Sequence, residues 1–368
     1  MKIGITCYPT YGGSGIVATE LGLELAQRGH EIHFITYATP IRLDTALENI
    51  HYHEVEVMNY PLFQFPPYDL ALASRMAEVS ELYELDLLHV HYAIPHSVSA
   101  MLAQQMLAPK RKLPFVTTLH GTDVTLVGAD PTYFPITRFS IEKSDGVTTV
   151  SDFLRQETFD VFGIQRPVEL IHNFVNCELY RPLEHRPVNA RPRLLHISNF
   201  RPVKRIQDCI RIFAAVLKEM DAELWMAGDG PERSPAERLA HELGVSSSIR
   251  FLGKQDHIEK LIPQTDVLLM PSEREAFGLA ALEAMACGVP PVAAESGGVT
   301  ELITHGVDGF LAPVGDISAH AACALQILQD PGLAKRMGQA ARHTAQSRFA
   351  TSAIIPQYEH FYEKILSS

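Results

Sequence analysis

Short runs rich in β-branched apolar residues alternate along this chain with longer amphipathic stretches. That alternation is the signature of βαβ units, which assemble into parallel sheets with helices on both faces. In the first half the strand candidates are Lys2–Cys7, Glu31–Tyr37, His51–Val57, Leu87–His91, Phe115–Leu119, Gly146–Val150 and Glu169–His172. The series then begins again with Arg193–Ser198, Glu223–Ala227, Ile249–Leu252, Val267–Met270, Pro291–Ala294 and Gly309–Ala312. Between the two series the segment from Tyr180 to Pro192 is polar and broken by Pro182, Pro187 and Pro192, as an exposed linker would be. The expectation is an α/β protein with two Rossmann-like domains, residues 1–180 and 181–349. A length of 368 residues with 46% apolar composition suffices for two cores.

Bulk properties narrow the function classes. A formal charge of −12 repels polyanions, and Lys110-Arg111-Lys112 is the one basic cluster, so no nucleic-acid partner is expected. No apolar run approaches the ~20 residues of a membrane span, and the opening Met1–Thr6 run reads as a strand, which points to a cytoplasmic protein with no membrane partner. Five scattered cysteines without a C-x-x-C pair argue against disulfides or structural zinc. His89 and His91 alternate on a strand without a third ligand of suitable spacing, so they are read as core or cleft-lining residues and no metal site is expected.

Three loops are expected to carry chemistry. Gly12-Gly13-Ser14-Gly15 joins the first strand to a helix whose stripe is Val17, Leu21 and Leu25 and whose C-terminal cap is Gly29. Its amides and the positive helix end suit a phosphate or carboxylate. Neither the dinucleotide G-x-G-x-x-G fingerprint nor a Walker A lysine is present, which weakens dehydrogenase and kinase readings. In the second half, Ser198-Asn199-Phe200-Arg201-Pro202-Val203-Lys204-Arg205 follows a strand, and Lys204 with Arg201 or Arg205 could neutralise a leaving diphosphate without a metal. Gly228-Asp229-Gly230 is a glycine turn of low specificity. The third loop runs from Pro271 through Glu275 and Phe277-Gly278-Leu279 into a helix, with Glu283 about two turns inside it. A carboxylate buried among alanine and leucine needs a hydrogen-bonding partner, and a ribose diol would serve. Glu275 could accept from sugar hydroxyls while the Gly278 and Leu279 amides face phosphates.

The context Pro-Ser-x-x-Glu-x-Phe-Gly followed by Glu-Ala-Met-Ala-Cys-Gly, with seven residues between Glu275 and Glu283, resembles the signature of family 4 retaining glycosyltransferases. The resemblance implies a GT-B fold, with two parallel sheets facing across a cleft and a last helix, residues 350–368, packing back on the first domain. It also implies that Glu283 holds the donor ribose, Glu275 faces the transferred sugar and Lys204 meets the diphosphate. The chain departs from the family where an arginine commonly follows the loop glycine: here Ser198-Asn199 stand. Cys7-Tyr8-Pro9, Gly12–Gly15, Pro66-Pro67-Tyr68-Asp69-Leu70, His91-Tyr92 and Thr117–Asp123 are similar to members that join N-acetylglucosamine from UDP-GlcNAc to L-malate in bacillithiol synthesis.

For a small dianion the acceptor-site candidates are Ser14 and the Gly13 amide at the first helix terminus, Tyr92, Thr118 and Arg138, with Gly13 also counted on the donor side. The similarity implies that Tyr92 and Arg138 clamp the acceptor and that His120 stands beside the hexose. Arg42 is a weaker acceptor candidate. No cofactor or metal is expected beyond the two substrates, and a homodimer is compatible. The rivals are another acceptor (inositol phosphate, a lipid or a polysaccharide) and a non-catalytic nucleotide-sugar-binding protein.

Overall fold

The computed structural model describes residues 1–10, 12–43, 47–184 and 191–368. Pro187, within the expected linker, lies outside the described residues. Two compact units are present: Met1–His172 with Ile354–Ser368, and Asn173–Ala353.

In the first unit β1 (Lys2–Thr6), β2 (Glu31–Thr36), β3 (Ile50–Glu54), β4 (Leu87–His91), β5 (Phe115–Leu119), β6 (Gly146–Thr149) and β7 (Glu169–Leu170) form one sheet. Their order is β3-β2-β1-β4-β5-β6-β7, all parallel. In the second unit β8 (Arg193–Ile197), β9 (Glu223–Ala227), β10 (Ile249–Gly253), β11 (Val267–Met270), β12 (Pro291–Ala294) and β13 (Phe310–Ala312) pair in the order β10-β9-β8-β11-β12-β13, again all parallel. In each sheet the winding direction reverses beside the first strand, between β1 and β4 and between β8 and β11. A doubly wound sheet opens a ligand crevice at the C-terminal strand ends of such a switch point.

Helices on both faces bury the sheets, which is why the central strands β8, β11 and β12 of the second sheet are largely apolar, while β4 and β5 of the first also carry buried His and Thr side chains. In the second unit Leu194, Leu224, Met226, Leu269 and Val292 pack with Ile206, Ile210 and Phe213 of the helix Ile206–Leu217. In the first, Leu88, Val90 and Phe115 pack with Leu72 and Met76 of the helix Tyr68–Tyr83. Each fully buried side chain of this size contributes roughly 1.5–3 kcal/mol. The first helix, Gly13–Gln27, buries Val17, Leu21 and Leu25. It ends at Gly29, whose φ of +91° returns the Gly29 and His30 amides to the Ala26 and Leu25 carbonyls.

The edge strands are shorter than their apolar runs. β3 stops at Glu54 and not Val57, because its one neighbour, β2, ends at Thr36, whose carbonyl takes the Val55 amide. β7 keeps two residues for the same reason, since β6 ends at Thr149. The change of unit also falls before the proline-rich segment. Residues after His172 join the second unit because Val175 bridges Ala350 and Arg342 donates to the carbonyls of Cys177 and Tyr180.

The last helix, Thr351–Leu366, groups with the first unit from Ile354 onward. Glu359 pairs with Arg28 (2.8 Å) and His30 (2.9 Å), and the Phe361 ring lies so close to Gly146 that a Cβ there would meet it at 2.7 Å. The Tyr362 hydroxyl meets His89 Nδ1 at 2.7 Å, and His89 Nε2 continues to Thr118 Oγ1 at 2.6 Å. Thr118 in turn meets Thr148 Oγ1 at 2.6 Å, so a buried polar chain runs from this helix through β4, β5 and β6.

Candidate active site

Lys204 lies in the loop after β8 and Glu275 in the loop after β11, the two strands flanking the second switch point. Lys204 Nζ donates to Glu275 Oε1 at 2.6 Å, with the side chains 23% and 13% exposed. Backbone contacts explain why two residues this far apart in sequence meet. The Glu273 amide donates to the Val203 carbonyl (2.8 Å), the Gly298 amide to the Glu275 carbonyl (2.9 Å) and Ser296 Oγ to the Glu273 carbonyl (2.6 Å). The loops after β8, β11 and β12 are thus tied together at one sheet edge.

The glycine turn after β9 closes the other side of the Lys204 loop. A Cβ on Gly228 (φ +130°) would fall 1.8 Å from the Ser198 carbonyl oxygen, and one on Gly230 would fall 2.2 Å from that of Asn199. These glycines therefore have a specific task, close backbone approach, that their sequence context did not reveal. The Ser198 hydroxyl is used inside the loop: it meets His196 Nε2 at 2.8 Å and accepts from the Phe200 amide at 3.2 Å. Asn199 Oδ1 is buried and has no hydrogen-bond partner, an unusual state for an amide in a folded protein. Arg201 is exposed, whereas Arg205 is bonded to Asp208 (2.6 Å), an acid in the first helical turn that also holds Arg211. Of the two arginines considered as partners for Lys204, Arg205 is therefore committed locally.

Phe277 is buried against Phe349, with ring centroids 5.5 Å apart, and Gly278 caps the helix Leu279–Ala286 with φ +99°. No acidic side chain occupies that first turn. Glu283 is the fifth residue of the helix, about one turn in and not two. It is buried, and the Tyr180 hydroxyl donates to its Oε1 at 2.7 Å. Sequence reasoning identified the need for a donor to this carboxylate but missed Tyr180, which supplies one from the segment entering the unit.

In the first unit the loops after β1, β4 and β5 meet at the other switch point. Gly12 caps the first helix, so Gly13 and Ser14 lie in its first turn, and Gly15 is required because a Cβ would stand 2.4 Å from the Tyr8 carbonyl. Tyr92, with φ +90°, donates its amide to the Thr118 carbonyl (3.0 Å) and stacks on His120, centroids 5.7 Å apart. His120 Nε2 also meets His91 Nδ1 at 2.8 Å. Burial holds the His120 imidazole down to about 3, so it is neutral at physiological pH. Asp123, to which sequence reasoning gave no role, locks this arrangement. Its carboxyl accepts from the amides of His120 (3.0 Å), Gly121 (2.9 Å) and Ala93 (3.2 Å), and burial raises it to about 6 against the pull of those amides.

Two acceptor candidates are placed differently from expectation. Thr118 is fully buried with its hydroxyl engaged by His89 and Thr148, so it serves the core chain and not an open surface. Arg138 is the fifth residue of the helix Phe134–Lys143, not its opening, and is exposed beside Phe134, Pro135, Phe139 and Glu142. Arg42 is paired with Glu20 at 3.3 Å.

Residues 11–179 match the family described as Glycosyltransferase Family 4, and residues 184–344 match Glycosyl transferases group 1. The N-acetyl-alpha-D-glucosaminyl L-malate synthase of Bacillus anthracis is 48% identical over 100% of this chain and 97% of its own length. An uncharacterized glycosyltransferase of Methanocaldococcus jannaschii is 29% identical over 84% of each chain. Among solved structures, a sucrose-phosphate synthase from Thermosynechococcus elongatus superposes with a TM-score of 0.82 at 22% identity, covering 100% of this chain and 99% of that one. HepE of Anabaena, solved with UDP-glucose, gives a TM-score of 0.82 at 22% identity, covering 99% and 100%. No helix among the described residues is long and apolar enough to cross a membrane. The paired switch-point loops and the full-length kinship agree: the chain belongs to the family 4 glycosyltransferases and has the GT-B fold.

Proposed function

We propose that this glycosyltransferase moves N-acetylglucosamine from UDP-GlcNAc to the hydroxyl of L-malate with retention, releasing UDP, as the first step of bacillithiol synthesis. The observation that carries this reading is the 48% identity, along the whole chain, to the malate synthase of Bacillus anthracis. In the donor half, Glu283, steadied by Tyr180, accepts from the ribose hydroxyls. The amides opening the helix Leu279–Ala286 and the Ser198-Asn199 loop face the diphosphate, with Phe277 and Gly278 shaping the turn. Lys204 exchanges its bond to Glu275 for one to the diphosphate, and Arg201 adds a second charge. The charge that develops on the leaving group is thus met by these cations and by helix amides, and no metal is required.

Glu275, once released, accepts from the sugar hydroxyls, and neutral His120 donates to the hexose; both position the sugar and neither acts as a base. The anomeric carbon–oxygen bond to the β-phosphate breaks, an oxocarbenium-like sugar forms, and the malate hydroxyl bonds to the same face while its proton passes to the departing phosphate. The malate dianion is held by Gly13 and Ser14 at the first helix terminus, by Tyr92 and by Arg138. Thr118 is left out of this site because its hydroxyl is occupied in the core. The same reading places the chain in the cytoplasm and admits a homodimer. The test is UDP release from UDP-GlcNAc with L-malate, D-malate, inositol phosphate or no acceptor. L-malate is expected to give the fastest release, and a preference for inositol phosphate would displace the malate assignment.

A further inference from the structure

The edge of the first sheet brings together three metal-ligating side chains that have no part in the proposed transfer. Glu31 and His33 lie on one face of β2, two residues apart, and His51 and His53 lie on the same face of β3. The parallel register sets His33 directly beside His51. Their rings stack with centroids 4.5 Å apart, and both point a nitrogen at one carboxylate oxygen. His33 Nε2 is 3.1 Å and His51 Nε2 3.5 Å from Glu31 Oε1. All three ligand atoms lie within 4.8 Å of one another.

We infer that Glu31, His33 and His51 form a binding site for a divalent transition metal of the zinc class, held by two imidazoles and one carboxylate. Ligand spacing, an outer hydrogen bond and graded exposure all favour a metal at this edge. Ligand atoms about 2.0–2.2 Å from a tetrahedral zinc stand roughly 3.3–3.5 Å apart, and the observed 3.1 Å and 3.5 Å separations bracket that edge. The second nitrogen of His33, Nδ1, meets His53 Nε2 at 2.9 Å, the outer contact that fixes the tautomer and aim of a metal-bound imidazole. Exposure grades across the cluster: the His33 side chain is fully buried while Glu31 and His51 are 33% and 36% exposed, which leaves an open side for entry and for a water ligand. The nearest opposing charge, Lys2, stands 3.8 Å from the other Glu31 oxygen and is anchored on the Tyr83 carbonyl, so Oε1 is left to the metal. The site is expected to be structural, clamping the edge strand β3 onto β2, because it draws on the N-terminal part of β2 and not on the loops at the C-terminal strand ends.

The full chain, stripped with a chelator and dialysed, would be titrated with zinc chloride against a chromogenic chelator. One zinc per chain at micromolar affinity or tighter is expected, together with a rise in melting temperature. Glu31→Gln and His51→Ala should each weaken binding at least tenfold, and His53→Gln by roughly 10–100-fold. His257→Ala, an exposed histidine beside Glu259, should leave binding unchanged. Circular dichroism checks that His51→Ala folds, and Glu31→Gln, which preserves shape, decides the matter if it does not. Less than one zinc per chain, or parental affinity in Glu31→Gln, would overturn the site.

Discussion

Removing the Tyr180 hydroxyl tests the donor half with a magnitude that follows from the structure. In Tyr180→Phe the ring stays and the 2.7 Å bond to Glu283 Oε1 is lost. Tyr180 is 3% and Glu283 6% exposed, so water cannot replace the donor. A buried hydrogen bond to a charged group is worth about 1.5–3 kcal/mol, and that much stability should disappear. At about 2–4 °C per kcal/mol for a unit of this size, the melting temperature should fall by roughly 3–12 °C. The carboxylate also loses one of the contacts that orient it. Re-ordering one such side chain on binding costs about 0.5–1.5 kcal/mol, so UDP affinity should fall roughly 2- to 12-fold. Thermal denaturation and calorimetric titration with UDP measure the two effects. A variant with parental melting temperature and parental UDP affinity would show that Tyr180 neither stabilises nor aims Glu283.

Gly228→Ala should be among the most damaging single changes in the second unit, since its Cβ would fall 1.8 Å from the Ser198 oxygen at a φ of +130°. A loss of about 1–3 kcal/mol or more, with weakened UDP binding, is expected in chemical denaturation and titration. Acid should weaken the first unit. Burial keeps His89 down to about 3, His96 to about 4 and His91 well below the ordinary range, while the unfolded chain protonates all three near 6.5. The unfolded state then binds more protons, so the stability they contribute is complete above pH 6.5 and is lost progressively as pH falls through 4 toward 3. Between pH 6.5 and 5.5 the three together should remove about 3 kcal/mol, read as a lower urea midpoint, and an unchanged midpoint would contradict their burial as neutral groups.

Much of this architecture is legible in the sequence because its signals are local. The β4, β5, β9, β11 and β12 ranges coincide with their apolar runs, bounded on each side by polar or turn residues. Gly29 follows the first helix where a left-handed cap is needed. Strand ends at β3 and β7 were not legible, because pairing there depends on where the neighbouring strand stops. The same limit applies to side chains. Glu275, Glu283 and Lys204 stand out by their motif and by their place just after strands, but the bond between Lys204 and Glu275 spans 71 positions and that between Tyr180 and Glu283 spans 103. No local pattern predicts such contacts; they follow from sheet order. Thr118 misled for a related reason: it stands one residue before the end of β5, and its hydroxyl turns into the core. Asp123 was visible in its motif, yet its task, holding three amides from two loops, exists only once those loops meet.

The proposed transfer depends on Glu275 leaving Lys204 to orient the transferred sugar. Turnover of Glu275→Gln, measured as UDP released from UDP-GlcNAc in the presence of L-malate, tests that most directly. Losing one preorganised polar contact at the reacting sugar should lower kcat by about 10²–10³, while UDP affinity stays near the parental value. A variant that releases UDP at the parental rate would contradict the assignment.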